Sequence, residues 1–141
     1  MENAAFQSAC LEGKLDMVKI FMQNASALNI DFNTKDRSGR TAFHWACYRG
    51  HTDVVKIIME NALNLSIDLN MKGESGKTGF HAACQIGLSD VVKVLMENAA
   101  NLNIDLNIPD RSGLYRFPLG MSNWSYRYCQ TFYEECSQFE H

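Results

Sequence analysis

The sequence predicts an all-α protein in which helix-turn-helix units stack into a solenoid with short turn hairpins, followed by an atypical aromatic-rich tail. The first observation behind this prediction is a constant spacing of 37 between equivalent residues. The spacing is shared by Gly13, Gly50 and Gly87, by Cys10, Cys47 and Cys84, by Phe6, Phe43 and Phe80, and by Asn33, Asn70 and Asn107. Secondly, turn residues divide each interval into two apolar segments of helical type. A period of roughly 20 to 50 residues indicates a repeat array.

Each unit is expected to begin with a turn and a short helix. Residues 36–39 (DRSG) form a turn cluster, in which Asp36, Ser38 and Gly39 are common turn formers. Thr41 and Thr78 precede the segments FHWACYR and FHAACQI, and a threonine side chain in that place caps a helix by accepting a backbone N–H. Gly50 and Gly87 then end the helix, because glycine readily takes the left-handed conformation needed there.

A second helix and a connecting segment complete the unit. Thr52 and Ser89 are expected to open this helix, each with an aspartate behind it that suits the positive end of the helix dipole. The segments VVKIIMENA and VVKVLMENA are apolar on most faces, so the helix should be covered on several sides. The next segment is predicted to be extended with one face buried, because its apolar residues alternate at Leu63, Leu65, Ile67 and Leu69.

The unit DRSGRTAFHWACYRGHTDVVKIIMENA resembles the ankyrin repeat, whose pattern is G-x-T-P-L-H-x-A-A, then G-H, then a V-V-K-L-L-type helix. The resemblance runs from about Asn3 to Gly113. Departures are Ala42 and Gly79 in place of proline, and a longer period whose additional residues fall in the loop after the second helix. The first copy lacks the threonine and histidine of the pattern, so Asn3 is expected to cap its first helix.

These patterns divide the chain into a repeat domain, residues 1–113, and a tail, residues 114–141. The domain comprises a partial repeat (1–35), two repeats (36–72 and 73–109) and the start of a fourth (110–113). In the tail a helix is favoured, because Trp124, Tyr128, Phe132 and Cys136 recur at intervals of four, and Cys129 and Cys136 are expected to be free thiols. Three roles stay open for the tail: a cap on the last repeat, a docking segment, or a remnant of altered splicing or reading frame.

The stretch KGESGKTGF (72–80) looks like the phosphate-binding loop of a nucleotide-dependent enzyme, but the repeat gives another interpretation. Its Gly-Lys-Thr is the copy of Gly39-Arg40-Thr41 one period earlier. Met71 also stands where a phosphate loop needs its first glycine. The stretch is therefore predicted to be a turn, and the chain is not expected to be an enzyme.

The pairs His44–Cys47 and His81–Cys84 each place two potential metal ligands on one helical face. Equivalent positions in a stack run parallel about 8–10 Å apart, so the two pairs should not converge on one zinc ion. No metal and no cofactor are therefore predicted. The resemblance implies instead that the histidines tie their turns to their helices by hydrogen bonds, and that Cys10, Cys47 and Cys84 are small packed residues.

Composition limits the classes of partner. A net charge of −3 gives no reason to expect nucleic acid or an anionic membrane as a partner. The sequence has no apolar run near the ~18–20 residues of a membrane span and no secretory signal pattern at its start. Five cysteines, three of them at repeat positions, fit a reducing compartment, so the expected location is the cytoplasm or the nucleus. No small-molecule substrate is expected.

The resemblance implies that another protein is bound on the concave side of the array, by the turn tips and first helices, as in scaffold or adaptor proteins. The residues it assigns to partner binding are Lys35, Arg37, Ser38, Arg40, Trp45, Tyr48, Arg49, Lys72, Glu74, Ser75, Lys77, Gln85 and Ile86. Six of these are basic and one is acidic, so a groove for an acidic or phosphorylated protein segment is predicted. Two alternatives stay open: solvated charges without a partner, and a truncated or spliced array that competes with a longer ankyrin protein or has no function of its own.

Overall fold

The computed structural model describes residues 2–73 and 76–105, and the regular elements in these two ranges are all α-helices. They are α1 (Glu2–Glu12), α2 (Leu15–Gln23), α3 (Ala25–Leu28), α4 (Ala42–Arg49), α5 (Thr52–Asn61), α6 (Gly79–Ile86) and α7 (Ser89–Leu102). The all-α fold is thereby confirmed. The predicted start of a fourth repeat at 110–113, the tail at 114–141 and its cysteines lie outside the described residues.

The helices form two layers. The first helices α1, α4 and α6 contact one another in that order, and the second helices α2, α5 and α7 do the same. Each first helix also packs on the second helix of its own unit. This nearest-neighbour arrangement is that of a solenoid, in which one continuous core runs between the layers. No helix within residues 2–73 and 76–105 has the length and apolar character needed to cross a membrane.

The repeated cysteines lie in the core between the layers. Cys10 and Cys47 are completely buried, Cys84 is nearly so, and none of the three takes part in a disulfide bond. Burial disfavours the thiolate, which raises the pKa of Cys10 to about 12 and raises the pKa of Cys47 still further. The prediction that these are small packed residues is confirmed, and the neutral thiols of Cys10 and Cys47 are poor nucleophiles.

Helices α4 and α6 begin and end as predicted. The Thr41 hydroxyl accepts the His44 backbone N–H at the start of α4, and Thr78 does the same for His81 at the start of α6. Gly50 and Gly87 follow these helices with φ of 72° and 82°, in the left-handed region that glycine enters without strain.

The prediction that Asn3 caps α1 is wrong. Helix α1 already begins at Glu2, and Asn3 lies within its first turn. The Asn3 Oδ1 atom instead accepts the backbone N–H of Asp31 at 2.9 Å. The physical reason is that the hydrogen-bond donor to Asn3 comes from Asp31, which is 28 residues away in the sequence. Capping rules consider only residues close in sequence.

The connecting segment after each second helix is helical or turn-like at its start, so the prediction of an extended segment is wrong there. Helix α7 continues to Leu102, α3 occupies the corresponding place in the first unit, and in the second unit Leu65 donates its N–H to Asn61. The helical path leaves Leu63 72% exposed. Only Ile67 and Leu69, which follow this turn, have the predicted buried side chains.

Each of these helical extensions ends at a left-handed residue. Asn29, Ser66 and Asn103 have φ of 51°, 54° and 54° and occur once per repeat. The following isoleucine donates its backbone N–H to the carbonyl five residues earlier, as Ile67 does to Ala62 at 2.9 Å. This closure is of the type that satisfies the last free carbonyls of a helix. The additional residues of the long period thus form a capped turn.

A ladder of asparagines joins these turns from one unit to the next. The Asn33 side chain donates to the Ser66 carbonyl at 2.9 Å and accepts the Asp68 N–H at 2.8 Å. Asn70 repeats both bonds, to Asn103 and Asp105, at 2.8 Å each. The loops are therefore positioned by side-chain hydrogen bonds between neighbouring repeats.

Candidate partner-binding site

The turn before α4 is organised by Asp36. Its Oδ1 atom accepts the backbone N–H groups of Ser38 at 2.9 Å and Arg40 at 3.1 Å, and also the Ser38 hydroxyl at 2.6 Å. Partial burial opposes ionisation of this carboxyl group, but the hydrogen bonds outweigh it and lower the pKa of Asp36. The turn is thus held by a charged centre in one conformation.

Asp36 also anchors an aromatic cluster on α4. The Trp45 indole Nε1–H donates to Asp36 Oδ2 at 2.6 Å. The Trp45 and Tyr48 rings pack edge to face, with centroids 5.8 Å apart and planes at 81°. The Arg40 guanidinium lies 4.8 Å from the Trp45 centroid and 5.0 Å from that of Tyr48, within cation–π distance of both. These contacts fix the position of a flexible cationic side chain.

A cleft of about 180 Å³ opens beside this cluster, between the second and third units. We call it the Arg40–Lys77 cleft, and its lining consists of Arg40, His44, Tyr48, Gly73, Lys77, Thr78, Ala82 and Gln85. Gly73 and Ala82 are the third-unit copies of Asp36 and Trp45. Because the large side chains of the second unit are missing from these two places, the space next to the Arg40 cluster stays open.

His44 forms part of the lining of the Arg40–Lys77 cleft and connects its two sides. Its Nδ1 atom accepts the Thr41 backbone N–H at 3.1 Å, which leaves the proton on Nε2. The Nε2–H group then donates to the Lys77 carbonyl at 3.0 Å. Desolvation, and secondarily the positive charges of Arg40 and Lys35, lower the pKa of His44, whose neutral form is held in place.

The histidine and turn predictions are confirmed by these contacts. Both ring nitrogens of His44 are used in hydrogen bonds, the first within its own unit and the second to the next unit. The described part of the stretch that resembles a phosphate loop fits a turn, because the Gly73 N–H donates to the Lys77 carbonyl at 2.7 Å, on either side of the pair 74–75, which lies outside the described residues. Within residues 2–73 and 76–105, no group of three or more His, Cys, Asp or Glu side chains is arranged to hold a metal ion.

The structure brings together only part of the predicted partner-binding set. The cleft-lining members of the set are Arg40, Tyr48, Lys77 and Gln85. Trp45 contacts the Arg40 guanidinium with its ring. The residues that do not line it are Lys35, Arg37, Arg49, Lys72 and Ile86, which are exposed, and Ser38, which is bonded to Asp36. Glu74 and Ser75 lie outside the described residues.

Sequence reasoning missed Asp36, His44, Gly73 and Ala82 as parts of this site. A signal for three of them was present, because aligning the two units shows Asp36 replaced by Gly73 and Trp45 replaced by Ala82. A large-to-small change at two positions of neighbouring repeats indicates a gap between them. His44 gave no such signal, because its second bond depends on how closely the units approach.

Comparison with known protein families gives a match to a family model described as ankyrin repeats in three copies, over residues 6–110. No curated protein matches the chain at a significant level. The matched range contains all the residues that line the Arg40–Lys77 cleft.

Proposed function

Since the chain belongs to the ankyrin repeat family, whose repeats are generally protein-interaction modules, we propose that it binds an acidic segment of another protein along its turns and first helices. The Arg40–Lys77 cleft is the observation that carries this proposal. It combines two cationic side chains with exposed polar groups at the junction of two repeats. We further propose that it acts as a binding scaffold or adaptor in the cytoplasm or nucleus, in keeping with its free buried thiols.

The chemistry of the site favours an anionic partner. The six basic residues on the turns and first helices contrast with a net charge of −3 for the whole chain, so the rest of the molecule is on balance more negative. A local positive potential on such a background accelerates encounter with acidic segments and orients them. Aromatic and arginine side chains such as Trp45, Tyr48 and Arg40 are also the types that contribute most binding energy at interfaces.

The proposal is tested with a labelled glutamate-rich peptide as the probe. Replacing Arg37→Glu and Arg40→Glu together should weaken its binding at least about tenfold, because the probe would meet repulsion at the turn tip. The matched control is Lys19→Glu with Lys56→Glu, the same charge change on the exposed sides of α2 and α5. Circular dichroism of each variant confirms that the helices are retained.

Two results would contradict the proposal. Unchanged affinity in the Arg37/Arg40 variant would show that the turns do not contact the peptide. Equal losses in that variant and in the control would show that only the total charge of the protein matters. A lysine-rich peptide of equal length serves as the negative probe.

A further inference from the structure

We propose that the Arg40–Lys77 cleft binds one phosphorylated side chain, a phosphoserine or phosphothreonine of the bound segment. This inference rests on the proposed function, since the segment must lie across the turns for its side chain to enter the cleft. It goes beyond general attraction to acidic protein, because it assigns one cleft and one functional group, a phosphate monoester.

The first argument concerns Arg40, which is held in place yet keeps its donors. Its guanidinium carbon lies 4.8 Å from the Trp45 ring centroid and 5.0 Å from that of Tyr48. No carboxylate among residues 2–73 and 76–105 forms an ion pair with it. The ring contacts use no N–H···O hydrogen bond, so the guanidinium N–H groups stay available to bind phosphate oxygens in pairs. The arginine is therefore preorganised for an oxyanion.

The second argument concerns the opposite side of the cleft. The Lys77 ammonium donates to Gln85 Oε1 at 2.7 Å, which leaves two of its three protons for a ligand. Because the Gln85 oxygen is occupied as an acceptor, its amide N–H groups remain as donors. Tyr48 adds a hydroxyl group at the same opening. Donors thus approach the cleft from both repeats.

The third argument concerns the shape and charge of the ligand. A phosphate monoester carries a charge of about −1.5 to −2 near neutral pH and has three terminal oxygens pointing in different directions. A carboxylate has one charge and two oxygens in one plane. The cleft has room for several waters of roughly 30 Å³ each. None of its described lining residues is a carboxylate, and the nearby Asp36 carboxylate already accepts hydrogen bonds from Ser38, Arg40 and Trp45. With three terminal oxygens and the larger charge, a phosphate can accept from donors on both sides at once more readily than a carboxylate.

The position of the two sides is fixed by the fold. His44 joins the second unit to the Lys77 carbonyl at 3.0 Å. A Cβ atom on Gly73 would lie 3.2 Å from the Gly39 carbonyl and 3.2 Å from His44 Nε2, so the two turns approach closely at this point. Binding therefore requires no rearrangement of the repeats, which limits the ordering cost.

The test is a titration of the full ¹⁵N-labelled chain with N-acetyl-O-phosphoserine N-methylamide at constant ionic strength and pH 7.5. The readouts are the Trp45 indole N–H and the Thr78 backbone N–H signals, assigned with a Trp45→Phe variant and by backbone assignment. We expect saturable shifts, with binding at least about tenfold tighter than that of N-acetylglutamate N-methylamide. Lys77→Met should weaken phosphoserine binding about tenfold or more, because one charge-assisted contact is lost. Lys56→Met, on α5, should not change it.

Other outcomes overturn the inference. Equal affinity for the glutamate and phosphoserine amides would mean that the cleft is not a phosphate-binding site. Undiminished binding of the phosphoserine amide to the Lys77→Met variant would mean the same. Stronger binding of inorganic phosphate than of the phosphoserine amide would point to free phosphate and contradict a protein side chain as the source. Any of these results, together with intact binding of the glutamate-rich peptide, would refute the phosphate site and leave the proposed function standing. If the protein bound neither the phosphoserine amide nor the glutamate-rich peptide, both proposals would be refuted.

Discussion

The second and third units share a framework but differ at the surface where we propose that a partner binds. In both, a threonine caps the first helix, a histidine accepts the threonine N–H, and a glycine ends the helix. The second unit adds Asp36 and Trp45 to make a cluster that fixes Arg40, whereas the third has Gly73 and Ala82. The comparison shows that a cleft opens where one repeat has small side chains next to the large side chains of its neighbour.

The largest expected effect comes from breaking the shared framework at His44. Replacing His44→Ala removes the acceptor of the Thr41 N–H and the donor to Lys77 in a buried place, and should lower the free energy of unfolding by about 2–3 kcal/mol. His44→Gln should recover part of this loss, because Gln7 has the equivalent position in the first unit and donates to Thr34 at 2.7 Å. Urea unfolding followed by circular dichroism measures both. Equal losses in the two variants would show that the hydrogen bonds contribute little.

The next prediction concerns a substitution that gives the third unit the tryptophan of the second unit. Ala82→Trp places in the third unit the residue that the second unit has at Trp45, and should fill the Arg40–Lys77 cleft. Binding of the phosphoserine amide should then weaken about tenfold or more, while the free energy of unfolding changes by less than about 1 kcal/mol, because Ala82 is only half-buried. Ala82→Ser is the control that leaves the cleft open. Retained binding in the tryptophan variant would place the ligand elsewhere.

The third prediction concerns the protonation of His44 and the pH dependence of stability that follows from it. Its folded pKa is lowered, so the folded state binds fewer protons than the unfolded chain. The stabilisation is complete above the ordinary histidine pKa and is lost as the pH falls from there towards the lowered value. Urea unfolding between pH 7.5 and pH 5 should show this decline in the wild type, with a smaller decline in His44→Gln. Identical slopes in the two proteins would contradict it.

The smallest expected effect concerns the loops. Asn70→Ala removes two exposed hydrogen bonds, to Asn103 and Asp105, and should lower the free energy of unfolding by about 1 kcal/mol. Asn64→Ala is the control, because Asn64 is an asparagine of the same connecting segment that is exposed and takes no part in the ladder, whereas Asn70 is half-buried. Thermal unfolding compares the two. A loss in the control as large as that in Asn70→Ala would mean that asparagine content, and not the ladder, determines the result.

Much of the fold could be predicted from the sequence, because a residue repeated at one interval has the same local role each time. Thr41, Gly50 and Cys47 were identified in this way, since caps and buried positions depend on neighbours within a few residues. The segment after the second helix was predicted incorrectly. Its apolar alternation resembled a strand, whereas its conformation depends on a left-handed Ser66 and on bonds to Asn33 in another repeat.

The candidate site could be predicted only in part for a related reason. Arg40, Tyr48, Lys77 and Gln85 follow from the family resemblance, which assigns them to one side of the array. That resemblance does not show which of the basic residues share a cleft, because the answer depends on the packing of Arg40 against two rings. From the sequence alone Arg37 and Arg40 have the same predicted role, whereas in the structure only Arg40 lines the cleft and Arg37 is exposed outside it.

The asparagine ladder has a consequence for how the array unfolds. In a nearest-neighbour description of a repeat protein, stability is divided between the intrinsic term of each repeat and a coupling term at each junction. The bonds of Asn33 and Asn70 span two repeats, so they belong to the coupling term. Stronger coupling with unchanged intrinsic terms favours all-or-none melting over fraying from the ends. A short array can thus behave as one cooperative unit because its loops, and not only its helices, are joined.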